Sequence, residues 1–520
     1  MIENDLHLFK GDRMSSNKKS IPLTLILSVI ALGINYVISL VLTPYISDTL
    51  GTEAYGFVTL AKTIANYGII LTSCLNSFSS RFITIAYQKK EKNKANTFYS
   101  SVIIANIILL FATLIFSLVF VTNIRLFIVV PDELIADVKI LFFLDFINYI
   151  VLAIGNIFTV YAYIKDKLYI THIIRIAAYG TEAVILLILF KYSDPHVYYV
   201  GISLLLSSGV LLILNAYAKR RELPEVIFSP KNYSFSAIRT LLISGFWNAV
   251  NNIGNLLNSG LDLWISNRML SAFSMGQLSI VKTVSTIFTT LAQIVSAPFQ
   301  PRLLQKYSCN DYEGVVNVLK KQIVFSGFVT SVICSGFISL GESYYFLWTP
   351  NQNVNLLQTI SIITVIGFWF EGIATPLFFV YTLTLKNLVP CVITVISGIL
   401  NVIGMYVLLK YSELGLLAVV GTTSVLGFFT YFVFNPIYAS RCLHVSVGTF
   451  YPSILKVFFA SVIVLAVSHV LSLILHPDTW LGLIFSAITV FIIAVPIHYI
   501  ITTTKNEKTD IKIMFKRIIK

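Results

Sequence analysis

The chain has 520 residues, of which 56% are hydrophobic and only 12% are charged, and its formal net charge is +13. Soluble domains carry about 25% charged residues, whereas here apolar stretches of about 20 residues, enough to cross a bilayer, recur along almost the whole sequence. The composition therefore excludes a soluble protein. Since Lys and Arg fall mainly between the apolar stretches, the positive charge gives no reason to expect a nucleic-acid partner.

The apolar stretches predict an all-α polytopic membrane protein with about fourteen transmembrane helices. After an N-terminal tail (residues 1–20, in which Met14 is an alternative start), a first six-helix bundle is expected over residues 21–218 and a second over residues 236–440, joined by a polar linker at 219–235. The first bundle has predicted spans at 21–46, 55–79, 98–122, 140–163, 169–190 and 198–217. The second has spans at 238–266, 277–297, 323–348, 356–383, 389–409 and 414–434. Residues 441–503 add two spans, 452–475 and 480–502, before a basic tail at 504–520.

The distribution of Lys and Arg predicts the orientation. Twenty-eight of these residues fall in the two tails and in alternate loops, and five fall in the remaining loops. Positive charge is retained on the cytoplasmic side of a membrane. We therefore expect both termini in the cytoplasm and an even number of spans, which for a bacterial chain places the protein in the cytoplasmic membrane.

One signature occurs twice. Residues 56–64 read GFVTLAKTI and residues 276–284 read GQLSIVKTV, so Lys62 and Lys282 each stand six residues after a glycine. YISD precedes the first copy and WISN precedes the second. The repeated order indicates a duplicated unit, with parallel repeats about an axis along the membrane normal.

The seventh predicted span carries a polar stripe. Its members fall at helical spacing and are Asn248, Asn251, Asn252, Asn255, Asn258 and Asp262. Five amides and a carboxylate on one helical face must meet protein or water, because exposing them to lipid is costly. We interpret the stripe as a cavity wall that binds sugar hydroxyls. The alternative is that the amides bond across helices and only hold them together.

Basic and acidic residues inside the spans are further candidates. Lys62 and Lys282 are interpreted as a pair of cations for a phosphate or diphosphate, although both could instead extend to the membrane surface. Arg175 is a third anion contact or the partner of Asp145 or Glu182. Glu371 stands alone near mid-span, beside the break that Gly372 and Pro376 would allow, and is a candidate for H⁺ or Na⁺ coupling. Asp145 and Glu182 are further candidates for such coupling.

No signature of enzyme chemistry is present. The sequence has no GxxxxGK[ST], HExxH or GxSxG motif. Its five cysteines form no CxxC and indicate neither a disulfide framework nor a metal site. We therefore expect a protein that is not an enzyme and that holds neither a cofactor nor a metal.

The sequence contains the LGTEAYG turn (residues 50–56), the basic exit SFSSRF (residues 77–82) and the weaker copy LSAFSMG (residues 270–276). Together with the fourteen-span arrangement, these motifs resemble the polysaccharide-flippase branch of the multidrug/oligosaccharidyl-lipid/polysaccharide exporter superfamily. The resemblance implies a MATE-like V-shaped pair of bundles and the outward movement of undecaprenyl-diphosphate-linked sugars for capsule, O-antigen, exopolysaccharide or teichoic acid. It also implies contact with polymerases or glycosyltransferases of the same pathway.

The resemblance leaves two other functions open. Drug-exporting relatives usually have twelve spans and an acid within span 1. Span 1 of this chain has no acid before Asp48 at its outer end. Relatives that flip the peptidoglycan precursor use arginines in span 1, which has none here. The alternatives to a sugar flippase are a MATE-type drug/cation antiporter and a non-transporting scaffold of a glycan-synthesis complex.

Overall fold

The computed structural model describes residues 20–296, 299–475 and 477–502. The described residues are almost entirely helical and contain no strand, which confirms the predicted all-α class. Residues 1–19 and the basic tail, with most of the charge that predicts cytoplasmic termini, lie outside the described part.

The helices of the first half, together with α10 at the start of the second half, precede residue 256. They are α1 (Ser20–Thr49), α2 (Thr52–Asn66), α3 (Gly68–Gln88), α4 (Lys92–Thr122), α5 (Ile124–Phe127), α6 (Ile135–Phe158), α7 (Val160–Ile164), α8 (Leu168–Tyr192), α9 (Tyr198–Glu222) and α10 (Phe235–Asn255).

The helices of the second half follow a π-helical turn at Leu256–Gly260. They are α11 (Asp262–Met269), α12 (Ala272–Ser296), α13 (Gln300–Ser308), α14 (Tyr312–Trp348), α15 (Val354–Ala374), α16 (Phe378–Leu383), α17 (Leu388–Tyr411), α18 (Leu416–Phe428), α19 (Asn435–Cys442), α20 (Tyr451–Leu475) and α21 (Trp480–Thr502). A second π-helical turn, Phe429–Phe434, separates α18 from α19.

Every predicted span coincides with a helix or with consecutive helices. Within the described ranges eleven helical segments are long and apolar enough to cross a membrane, and a bent pair would make twelve. The chain is thus a multi-pass membrane protein, although the predicted number of fourteen is not confirmed. The helices at the predicted seventh and eighth spans, α10 to α12, are not among these segments.

The second predicted span is not one straight helix. The chain bends by 61° between residues 52–70 and 72–88, at the junction of α2 and α3. Tyr149 of α6 lies at this bend: a side chain on Gly68 would come within 2.5 Å of its ring, and its hydroxyl lies 2.9 Å from the hydroxyl of Thr72. The prediction of one helix was wrong here because the hydropathy pattern does not report the insertion of a ring from another helix.

The chain divides into two compact units. Unit 1 contains Ile64–Asn123 and Ala136–Asn248 together with the described residues up to Ser39. In it α3 packs against α4, and α8 packs against α9, around buried aromatic residues such as Tyr99 and Tyr161.

The predicted linker is tied to unit 1. The backbone N–H groups of Ile227, Ser229 and Ser234 donate hydrogen bonds of 2.9–3.1 Å to side chains of α4. These bonds satisfy backbone groups that lie outside any helix. The linker is therefore a fixed segment along the start of α4.

Unit 2 contains Ala249 onwards together with two segments from the first half of the sequence, Leu40–Thr63 and Ile124–Ile135. The long helix α14 packs against α15, α20 and α21. The two additional C-terminal helices therefore rest on a helix of the second half. Asp311 begins α14 by accepting a hydrogen bond of 2.7 Å from the backbone of Gly314, which satisfies one of the free N–H groups of the first turn.

Candidate functional site

The duplicated signature begins α2 and α12, and its two glycines are in contact within unit 2. A side chain on Gly56 would lie 2.8 Å from Cα of Gly276, and one on Gly276 would lie 2.2 Å from the carbonyl oxygen of Thr52. Only glycine permits this approach of two backbones. Gly51, with a positive φ of 95°, forms the turn that starts α2.

Hydrogen bonds surround the glycine contact and join the first-half segments of unit 2 to second-half helices. The hydroxyl of Tyr55 lies 2.6 Å from that of Thr283, and Thr52 donates to Gln352 at 2.8 Å. Buried Asn267 accepts from the backbone N–H of Val129 at 2.7 Å and donates to its carbonyl at 2.9 Å. We call this set, with Gly56 and Gly276, the cross-half contact.

Each lysine of the signature lies about 9 Å along its helix from the glycine contact, since six residues rise 1.5 Å each. Both are in unit 2, but their surroundings differ. Lys282 forms an ion pair of 2.9 Å with Asp262, whose side chain is only 6% exposed, and donates at 2.6 Å to the carbonyl of Ser259. Lys62 is half-buried and forms no ion pair with a described residue. Lys62 is therefore the signature lysine whose charge is available to a ligand.

The expected single α-helical face along span 7 is wrong, because the π-helical turn Leu256–Gly260 interrupts the helix. A π-helix closes i→i+5 hydrogen bonds and needs more residues per turn than an α-helix. Asn258 and Asp262 therefore do not continue the face on which Asn248, Asn251, Asn252 and Asn255 lie. The sequence could not reveal this, because Asn, Ser and Gly at these positions are equally compatible with an uninterrupted helix.

Asn258 has a structural role in this break. Its amide nitrogen donates at 2.8 Å to the carbonyls of Gly254 and Thr394, and its side-chain oxygen accepts from Ser397 at 3.0 Å. Buried Asn401 donates at 2.7 Å to the Asn258 carbonyl. The amide thus joins the π-turn to α17, as in the alternative interpretation that asparagines hold helices together. Asn251 and Asn252 are partly exposed, and Asn248 and Asn255 are exposed, so these four remain candidates for a polar surface.

We expect Asn258→Leu to lower the thermal unfolding midpoint in detergent far more than Asn251→Leu. Leucine would remove the three side-chain hydrogen bonds to Gly254, Thr394 and Ser397, and each such bond contributes about 0.5–1.5 kcal/mol. Asn251→Leu makes the same change in size and polarity more than one helical turn before the π-helical turn. Equal midpoints for the two variants would contradict the assigned role of Asn258.

Arg175 and Glu182 line a cavity of about 570 Å³ inside unit 1, between α3, α6, α8 and α9. Arg175 is exposed, and the ion pairs among the described residues do not include it. Its pairing with Asp145 or Glu182 stays a prediction. Asp145 is buried (1% exposed) and is not among the lining residues.

The sequence interpretation missed most of the cavity. Its lining includes Asn76 of α3, Asn148 and Asn156 of α6, and Asn215 of α9. Their signal in the sequence was an amide in an otherwise apolar span, but no spacing rule connects positions on different helices.

Glu371 lies near the end of α15, where the predicted break is present as a 3₁₀ turn, Thr375–Leu377. Its carboxyl group shares a hydrogen bond with Tyr431 of the second π-helical turn. The partner, which the sequence did not indicate, makes Glu371 part of a polar pair within unit 2. In the described part of the chain no three His, Cys, Asp or Glu side chains are grouped closely enough to hold a metal ion.

The chain is similar to a known protein family and to a membrane protein of Bacillus subtilis. The model of a family described as "Polysaccharide biosynthesis protein" matches residues 24–305. The chain is 26% identical over 484 residues to the "Uncharacterized membrane protein EpsK" of Bacillus subtilis (strain 168), covering 92% of this chain and 95% of that protein.

Two solved structures share the fold. One is the lipid II flippase MurJ in an inward closed conformation, with a TM-score of 0.68 and 19% identity over 91% of this chain and 99% of that one. The other is a multidrug resistance MATE family transporter of the MOP superfamily in an inward-facing conformation, with a TM-score of 0.65 and 14% identity over 78% of this chain and 95% of that one. At these identities the two structures show that the chain shares their fold. The chain belongs to the family of polysaccharide biosynthesis proteins.

Proposed function

We propose that the protein moves polyprenyl-diphosphate-linked oligosaccharides, such as undecaprenyl-linked repeat units, from the inner to the outer leaflet of a bacterial cytoplasmic membrane by alternating access. The observation that carries the proposal is the lysine in each copy of the signature, both within unit 2. A lysine deep in a span costs roughly 2.5–3.5 kcal/mol, and Lys62 keeps that charge with no described ionic partner. A diphosphate is a ligand that offsets this cost.

Lys282 has a different part in this proposal. Its pairing with Asp262 neutralises it, so the three groups Lys62, Lys282 and Asp262 carry a net charge of +1. A diphosphate at Lys62 would compete with Asp262 for the Lys282 ammonium. Exchange of that ammonium between the carboxylate and the substrate would couple substrate binding to the break in span 7, where Asp262 and Ser259 lie.

The cross-half contact supports the conformational part of the proposal. It joins the start of α2 and the segment at residues 124–135, which the Lys and Arg distribution predicts to be on the outer side, to α11, α12 and the turn after α14. Release of the head group on that side requires these bonds to break. The membrane potential favours the step, since an anion leaving a negative interior gains about 2.3 kcal/mol per charge per 100 mV. We assign any H⁺ or Na⁺ coupling to Glu371, and we place the protein beside the glycosyltransferases and polymerase that make and use its substrate.

The test is flipping of a polyprenyl-diphosphate oligosaccharide by purified protein in proteoliposomes. We expect Lys62→Ala to reduce the initial rate at least about tenfold, a loss of roughly 1.4 kcal/mol of interaction with the anion. Lys456→Ala is the matched control, because Lys456 is an exposed lysine in the span α20 and should only extend to the membrane surface.

Four outcomes would contradict parts of the proposal. Equal rates for the wild type, Lys62→Ala and Lys456→Ala would show that Lys62 does not bind the anion. No flipping by folded wild type would overturn the substrate class. Increased resistance of cells to cationic drugs on overexpression would favour the drug/cation antiporter. Full function of cells that carry Lys62→Ala, with no flipping by the purified protein, would favour the scaffold.

A further inference from the structure

The cavity in unit 1 is a separate binding site that the signature lysines do not explain. It is bounded entirely by α3, the region from α6 to the start of α8, α8 itself and α9. Its volume of about 570 Å³ lies within the roughly 300–1,000 Å³ of ligand sites. A membrane bundle that needed only to be stable would fill such a space with apolar side chains, because unfilled volume costs packing energy.

The lining favours a ligand rich in hydroxyl groups. Amides of Asn76, Asn148, Asn156 and Asn215 face the space together with hydroxyl groups. Ser207 and Thr171 donate their protons to backbone carbonyls, at 2.8 and 2.7 Å, so their oxygens remain available as acceptors. Amides that both donate and accept, beside hydroxyl acceptors, match the alternating donors and acceptors of a saccharide.

One of the lining amides, that of Asn76, is held in position. Asn76 exchanges two hydrogen bonds, of 3.0 and 2.8 Å, with Asn106 of α4, which is completely buried. Such a reciprocal pair fixes the plane of the lining amide before a ligand arrives, which lowers the entropy lost on binding. The cavity is therefore a preorganised polar site and not a loose gap between helices.

Two groups in the cavity lack partners that their chemistry requires. The side-chain oxygen of Asn148 is shielded from solvent and accepts no hydrogen bond from a described residue. Arg175, about two turns inside α8, has no ion pair among the described residues. A buried acceptor without a donor costs about 1–3 kcal/mol, so a ligand hydroxyl at Asn148 would remove that cost, and an anion at Arg175 would pair its charge.

The anion is more consistent with a carboxylate than with a diphosphate. The guanidinium matches a carboxylate in a bidentate geometry. Buried Glu182 lies seven residues further along the same helix and lines the same cavity. A ligand with several negative charges would meet the acidic side chain of Glu182 beside Arg175, whereas a ligand with a single carboxylate on Arg175 can place its hydroxyl-bearing remainder toward Glu182 and the amides.

We propose that the cavity in unit 1 binds one acidic glycosyl unit, of the uronic-acid class, with its carboxylate on Arg175 and its hydroxyl groups on the asparagine amides. The proposal rests on the proposed function for the source of this unit, which is the oligosaccharide of the lipid-linked substrate. The cavity then selects the sugar composition, and the signature lysines select the diphosphate.

The test measures binding of sodium D-glucuronate, D-glucose and inorganic phosphate to the purified full-length protein in detergent, by saturation-transfer NMR with competition. We expect glucuronate to bind at least about tenfold more tightly than glucose or phosphate, a difference of roughly 1.4 kcal/mol. Arg175→Gln should remove this preference without changing the affinity for glucose, and Arg175→Lys should restore only part of it because lysine lacks the bidentate geometry.

The controls separate the pocket from a general effect of charge and from misfolding. Arg239→Gln removes the same charge from α10, outside the lining, and should leave binding unchanged. Asn148→Leu should weaken glucuronate and glucose alike. A monodisperse size-exclusion profile and an unchanged unfolding midpoint for Arg175→Gln confirm that the variant is folded.

Each remaining outcome decides between this proposal and the proposed function. Equal binding of glucuronate and glucose, phosphate binding as tight as glucuronate, or no effect of Arg175→Gln would overturn the uronic-acid site and leave Arg175 as a residue that extends to the membrane surface. If glucuronate binding depends on Arg175 while wild type flips no lipid-linked oligosaccharide, the site stands and the transport proposal fails. If wild type flips the lipid-linked substrate and does not bind glucuronate, only the site fails.

Discussion

Gly276→Ala is expected to open the cross-half contact and to abolish most transport. Its new methyl group would lie 2.2 Å from the carbonyl oxygen of Thr52 and 2.7 Å from its carbonyl carbon, and a backbone cannot turn aside as a flexible side chain can. Overpacking of this kind costs about 1–3 kcal/mol and occasionally more. A loss of 1.4 kcal/mol from the closed contact already changes the ratio of closed to open molecules tenfold.

The opening can be measured with a cysteine at Thr52, a residue that is 6% exposed in the closed contact. We expect a membrane-impermeant maleimide to label Thr52→Cys several-fold faster in intact cells when Gly276 is replaced by alanine. Gly421→Ala is the control, since Gly421 is also helical but a side chain there would meet nothing within 4 Å. Unchanged labelling and unchanged flipping in Gly276→Ala would show that the glycine contact does not control the outer side.

We expect removal of one member of the Asp262–Lys282 pair to destabilise the protein strongly. Removal of both members should destabilise it much less. Lys282→Ala leaves a carboxylate that is 6% exposed without its cation, and breaking a buried pair in this way typically costs about 3–5 kcal/mol. The double replacement Asp262→Asn/Lys282→Gln retains hydrogen-bonding capacity and leaves no unpaired charge, so most of the lost stability should return.

A double-mutant cycle on the detergent unfolding midpoint measures the coupling. The reference is the exposed pair Glu91–Lys94, separated by 3.2 Å with side chains 44% and 61% exposed, for which we expect less than about 1 kcal/mol. Additive effects of Asp262→Asn and Lys282→Gln would refute the pairing. The folded double variant also isolates the transport role of Lys282. It contains no unpaired Asp262 carboxylate, so a slower flipping rate of this variant cannot be attributed to one.

Much of the fold could be predicted because the bilayer imposes a simple rule. A chain in lipid must bond its backbone internally, so apolar length alone located the helices, and the break after Glu371 followed from Gly372 and Pro376. The bend at Gly68 and the π-turn around Asn258 could not be predicted in this way. Both depend on a partner in another helix, Tyr149 in one case and the Thr394 backbone in the other.

The candidate site divides along the same line. The repeated glycine–lysine spacing and the polar character of span 7 are properties of consecutive residues, and the sequence by itself determined them, together with the family resemblance. Only the tertiary structure decided that the two signature glycines touch and that Asp262 forms an ion pair with Lys282 and not with Lys62. It also decided that Arg175 shares a cavity with asparagines of three other helices. The physical reason is that ion pairs, close backbone approaches and cavities form between residues far apart in the chain, whereas periodicity and spacing report only on neighbours along a single helix.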